Sequence, residues 1–148
     1  MAITFTNNWK NILDKLESTL RGEFKGALPV YRGNKTTNAS QFLRLVPTGS
    51  DLSEYNVNSE TREFSIQMLY YFFEKNIKDT ALDHVLRTVS RVEALIHDNI
   101  AMTLSDSTRV FNCRLQTTSL NTDEEEEAYV VEWEWKGQHL GNTAWKLN

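Results

Sequence analysis

Apolar and polar positions alternate over residues 61–74. Phe64, Ile66, Met68, Tyr70 and Phe72 fall on one side, and Ser65, Gln67, Leu69, Tyr71 and Phe73 on the other. A period of two is the pattern of a strand, and here both sides turn apolar towards the end. About twelve residues at roughly 3.3 Å each reach about 40 Å, longer than most strands. The pattern therefore predicts that something outside the chain covers part of this strand. Two other stretches repeat with helical spacing. Trp9, Ile12, Leu13, Leu16, Leu20 and Phe24 predict a helix capped by Asn7 or Asn8. Gly22, Gly26 and Pro29 end it, and residues 27–32 form a short strand before a turn at Gly33 and Asn34. A second helix is predicted over residues 80–99. Its buried stripe is Leu82, Val85, Leu86, Val89, Val92 and Ile96, with Thr80 and Asp83 as a capping box. His84, Arg87, Thr88, Arg91 and Asp98 point away from that stripe.

The remaining segments read as strands and loops. Residues 41–46 form a strand anchored by Phe42 and Leu45 and stopped by Pro47. The polar stretch 48–60 reads as a surface loop, long enough to be mobile or functional. Strands over 109–118 and 128–136 flank the acidic run Asp123, Glu124, Glu125, Glu126 and Glu127. In the second of them Tyr129, Val131, Trp133 and Trp135 share one face, while Val130, Glu132, Glu134 and Lys136 take the other. That is the pattern of an antiparallel sheet buried on one side. From about residue 138 the chain is a polar tail, apart from Leu140 and Trp145, and the isolated Trp145 suits docking on a neighbour. The whole is an α+β chain, one domain over residues 1–148. It has a mostly antiparallel sheet of about four to five strands, two amphipathic helices and a long C-terminal hairpin.

Composition narrows the class of protein. A length of 148 residues suffices for a core without staples. No run approaches the roughly 20 apolar residues of a membrane helix. The first nine residues lack a basic start and a cleavage site, so the expectation is that the chain stays where it is made. One cysteine, Cys113, suits a reducing compartment and makes the Asn38 sequon accidental. The net charge of −4 is uneven: residues 1–50 carry seven Lys or Arg against three acids, and residues 101–148 four against eight. The halves either pair within the chain or join copies head to tail, an arrangement that closes into a ring when the rotation permits.

Candidate chemistry is sparse. His84, His97 and His139 are far apart, and no paired-cysteine or His-Glu-x-x-His spacing builds a metal site. His97 suits the carbonyl end of its helix. Cys113 alternates with Phe111 and Leu115 and reads as a small core residue. Glu132 and Glu134, about 7 Å apart on one strand face, read as solvated charges on a sheet beside basic residues. A hydrolase using either one stays open as a reading without a substrate. No glycine spacing cradles phosphate, and the basic front segment is too dilute to read nucleic acid. No cofactor is expected. The acidic run is either a solvated hairpin tip or the lining of a lumen that repels passing DNA.

The order of helix, short strands, long strand, helix and long C-terminal hairpin resembles the tail terminator, or tail-completion, proteins of long-tailed bacteriophages. The resemblance is carried by residues 9–24, 64–73, 82–96 and 111–135. It implies a structural virion protein, assembled in the host cytoplasm, that forms a hexameric ring and catalyses no reaction. Such a ring caps the tail tube, meets a neck or connector protein, and lets DNA pass without specific binding. Another head-tail connector protein, or a free-standing dimeric module binding a peptide or small ligand, are the alternatives. Under the ring reading, Tyr71, Phe73, Trp133, Trp135 and Trp145 are the candidate contacts with other copies or partners. The run from Asp123 to Glu127 is the candidate lumen or solvated loop. No single residue's role carries over from the family, because the likeness is architectural.

Overall fold

The structure, a computed structural model, describes residues 5–33, 40–57, 59–73, 79–123, 125 and 128–142. Asn7 opens α1 (Asn8–Phe24): its side-chain oxygen accepts the Lys10 N–H at 3.1 Å, taking up one of the donors that a helix start leaves free. The expected spacing buries Ile12, Leu13, Leu16, Leu20 and Phe24. A 3-10 turn (Lys25–Ala27) follows, entered with Lys25 at φ 54°, and then β1 (Val30–Arg32). Arg32 ties β1 back to the helix, donating to Asp14 at 2.6 Å and to Glu17 at 2.7 Å.

Four long strands make the body of the sheet: β2 (Gln41–Tyr55), β3 (Ser59–Phe73), β5 (Arg109–Asp123) and β6 (Ala128–Asn142). The short β4 (Met102–Thr103) and the helix α2 (Asp79–Asp98) complete the chain. The order across the sheet is β1-β2-β3-β6-β5-β4. β1 runs parallel to β2, and every other neighbour is antiparallel. The expected α+β class holds, with six strands rather than four or five.

Both helices pack on one face, where Leu43, Leu45, Ile66, Met68, Tyr70, Val131, Trp133 and Trp135 join the helix residues in one core. Each long strand has 15 residues, about 50 Å of sheet, against about 25 Å for the 17 residues of α1. The helices are shorter than the strands beneath them, so part of the sheet outlasts its cover.

Several expectations change here. Residues 48–60 are not a loop: β2 runs on to Tyr55, turns, and returns as β3 from Ser59. Pro47 does not stop the strand, because it sits at a register shift on an edge that β1 covers only at residues 43–45. A missing N–H costs little there. Residues 138–142 of the expected polar tail are strand, since β6 continues to Asn142, and residues 143–148 lie outside the described residues. The stripe of α2 is rotated from its expected position: Ala81, Val85, Thr88, Val92 and Ile96 are buried, while Leu82 and Leu86 are 36 % and 45 % exposed. Thr88 tolerates burial because its hydroxyl donates to the His84 carbonyl at 3.1 Å. At the end of α2 it is Asn99, rather than His97, whose side chain takes the Leu95 carbonyl, at 2.8 Å. The side chains of Asp79 and Thr80, and with them the capping box, lie outside the described residues.

Candidate assembly surface

β3 lies between β2 and β6. Its even-numbered residues from Phe64 to Tyr70 are buried under the helices, and on the opposite side Thr61, Ser65 and Leu69 are below 10 % exposed. The chain itself covers most of the apolar part of this strand. Its apolar end, Tyr71, Phe72 and Phe73, is half-buried, and the expectation of a cover from outside the chain is confined to it.

Tyr71 and Phe73 stand on the open face of the sheet, turned away from the helices. Register places Phe42 of β2 and Val130 of β6 on either side of Tyr71. The Phe42 ring stacks on Tyr71 with centroids 4.8 Å apart and on Phe73 at 6.0 Å. Tyr71 and Phe73 lie within 10° of parallel at 6.3 Å, and Tyr31 meets Phe42 edge-on at 6.0 Å. Such pairs contribute beyond the area they bury. Beside the stack runs a shallow groove of about 530 Å³, lined by Tyr71, Val130, Asn121, Asp123, Glu125 and Glu132. Two of its acids, Asp123 and Glu125, lie at the turn between β5 and β6, where Glu125 N–H donates to Asp123 Oδ1 at 3.1 Å, and the third, Glu132, stands on β6. Glu124, Glu126, Glu127 and Trp145 lie outside the described residues.

The other end of the open face is polar. Glu63 accepts bonds from Arg114 at 3.2 Å and Gln138 at 3.4 Å, and lies 3.7 Å from the Lys136 ammonium. Partial burial opposes ionisation of Glu63, but these donors and charges win and hold its carboxyl below the usual range. Lys136 also pairs with Glu134 at 3.3 Å, so that glutamate serves the network rather than a carboxylate pair with Glu132. One half of this face satisfies itself with charge, and the other presents rings.

Trp133 and Trp135, expected as contact residues, are 1 % and 0 % exposed beneath the helices. This is a correction: their face is the covered one, and the chain's own core consumes both rings. Gly137 makes room for Trp135, because a Cβ there would meet Trp135 Cη2 at 2.6 Å and Val110 Cγ1 at 2.7 Å. Cys113 is 3 % exposed, and burial pushes its thiol up to about 12, as befits a core residue.

One polar cluster had no signal in the sequence. His139, 4 % exposed, lies 2.9 Å through Nε2 from Thr108 Oγ1, which donates to Asp106 Oδ1 at 2.6 Å. Burial pushes His139 below the usual imidazole range, against the opposing pull of Asp106 and Glu60. The bond from Thr108 holds Asp106 low as well. The cluster fastens the turn before β5 to the end of β6. It escaped the sequence because residue 139 was expected in a tail.

No family model and no curated protein matches the chain. Among solved structures it is similar to a chain of the virion of the native gene transfer agent particle, with a TM-score of 0.56 and 12 % identity. The alignment covers 90 % of this chain and 97 % of that one, and the likeness is one of fold.

Proposed function

We propose that this chain is a structural protein of a phage-like virion: a tail terminator whose copies close into a six-membered ring on the tail tube. The ring meets the tube on one side and a neck or connector protein on the other, and DNA passes through it without chemistry. The observation that carries this reading is a fold shared with a virion chain over nearly the whole of both molecules. The open sheet face supports it, since Phe42, Tyr71 and Phe73 build a ring stack that the helices do not cover. On this reading the stack seats a neighbouring copy or the tube, and the acidic turn between β5 and β6 lies at the lumen or in solvent. Head-to-tail contacts of this kind close into rings.

Native mass spectrometry with negative-stain imaging tests the reading: a sixfold ring, alone or on added tail tubes, is the expected result. A chain that neither closes on itself nor binds tubes would overturn it. The groove beside Tyr71 favours a second reading, a dimeric module holding a small ligand or peptide. A dimer with a ligand-dependent melting shift would support that reading instead.

A further inference from the structure

The two long edges of the sheet are guarded unequally. Beyond the three residues paired to β1, the free edge of β2 carries Pro47, Gly49, two register shifts and the charges of Asp51 and Glu54. These are the features by which edge strands refuse further pairing. β5 has fewer. β4 pairs with Arg109 and Val110, and the Cys113 N–H donates to the Ile100 carbonyl at 2.9 Å. Residues 117–123 then run in regular register with β6 on one side. Among the described residues, no strand lies on their other side. That stretch, TTSLNTD, contains no Pro, Gly or Lys and no register shift.

Above the same edge the flank is apolar and bare. Leu120, on the helix side of β5, is 43 % exposed. Glu93 of α2 accepts a bond from Thr118 at 3.1 Å, which marks the stripe of that helix facing β5. Leu86 and Leu82, seven and eleven residues earlier, share this stripe, and they are the leucines left exposed when the helix packed. Among the described residues, the open row of backbone donors and acceptors over residues 117–122, beneath three exposed leucines, has the shape of a missing strand. Its side chains would alternate, apolar towards α2 and polar away from it.

A neighbour's β2 fits this edge poorly. The free stretch of β2 stands level with the start of β5, whereas residues 117–123 stand level with the part of β2 that β1 covers. Pairing the two would slide each copy by about eight residues, or roughly 25 Å, along its neighbour. A short extended segment meets no such displacement. The chain holds one of the required pattern ahead of α1: Ile3, Thr4, Phe5 and Thr6 alternate, and Phe5 is 74 % exposed.

We propose that residues 2–6 of one copy add as a strand to residues 117–123 of β5 in the next copy, with Ile3 and Phe5 covering Leu120, Leu86 and Leu82. Backbone bonds supply the affinity, and the alternating side chains the choice of segment. The proposal rests on the assembly reading above and names the element that joins one copy to the next.

Oxidative cross-linking of the full chain carrying Phe5→Cys and Leu86→Cys tests it, since both sites are exposed and the native Cys113 is buried. The expected product is a covalent ladder of dimers and higher species, whereas either single variant stops at dimers. An internally linked monomer, or a double variant that goes no further than the single ones, overturns the proposal. Amide exchange gives a second measure. Residues 117–123 should slow by about tenfold or more as the native chain is concentrated, and should not do so in Phe5→Asp. Rings that form without ladder or protection leave the assembly reading standing and remove the strand addition. A chain with neither rings nor ladder removes both.

Discussion

The two faces of the sheet hold aromatic residues in opposite conditions. On the helix side Tyr70, Trp133 and Trp135 are at most 1 % exposed, and Gly137 is small so that the Trp135 ring can cross it. On the open side Tyr71 and Phe73 stack on the buried Phe42 and on one another and keep part of their own surface free. Rings of the first kind are committed to the monomer; rings of the second kind have made only half of their contacts. Tryptophan, tyrosine and phenylalanine therefore do not mark an interface by themselves. The side of the sheet on which they stand decides their role.

Substitutions on the two faces should separate folding from assembly. Trp135→Ala should cost the monomer about 3–5 kcal/mol in urea denaturation, because it empties a large volume in a closed core. Gly137→Ala should cost about 1–3 kcal/mol by forcing the Trp135 ring from its place. Glu63→Gln on the open face should cost no more than about 1 kcal/mol and less in high salt, because its partners are partly solvated. Tyr71→Glu should cost the monomer about 1 kcal/mol through its lost stacking on Phe42 and Phe73, well below Trp135→Ala, yet abolish assembly. Between Trp135 and Tyr71 the order for assembly is the reverse of that for folding, and that reversal is what the comparison of the two faces predicts.

Acid titration probes the polar cluster that fastens the end of the sheet. His139 is held below its usual range in the folded chain, so the unfolded chain binds the proton more readily. Stability is then complete above the imidazole range and falls as pH drops through about 6.5. Asp106, held low, adds a second loss as pH falls on through the carboxylate range. His139→Gln should remove the first step of a melting-temperature profile and leave the second.

Much of the architecture was legible in local pattern. The stripe of α1, the alternation of β3 and the shared face of Tyr129, Val131, Trp133 and Trp135 each fixed which residues face together, because one period dominates each stretch. Which face of β3 the helices cover was not legible, since both of its faces turn apolar. In β6 the charges of Glu132, Glu134 and Lys136 marked the opposite face as the buried one, so the expectation of Trp133 and Trp135 as contact residues ran against their own pattern. The hairpin over residues 48–60 hid behind composition: Ser, Asp and Glu favour loops, and Pro47 ordinarily breaks strands, but an edge position with register shifts admits both. Leu82 and Leu86 were expected inside because they fit the helical spacing of Val85, Val92 and Ile96, whereas the helix turned Ala81 and Thr88 inward instead. The cluster of Asp106, Thr108 and His139 joins residues more than 30 positions apart through side chains alone, and no periodicity reports such a contact.

Sedimentation velocity on the native chain and Tyr71→Glu, side by side over a concentration series, bears most directly on the claim that the open face is where copies meet. The account predicts that the native chain sediments as a closed oligomer while the variant, equally folded by far-UV circular dichroism, remains a monomer. A variant that assembles as the native chain does, or a native chain that stays monomeric at every concentration and with added tail tubes, would contradict it.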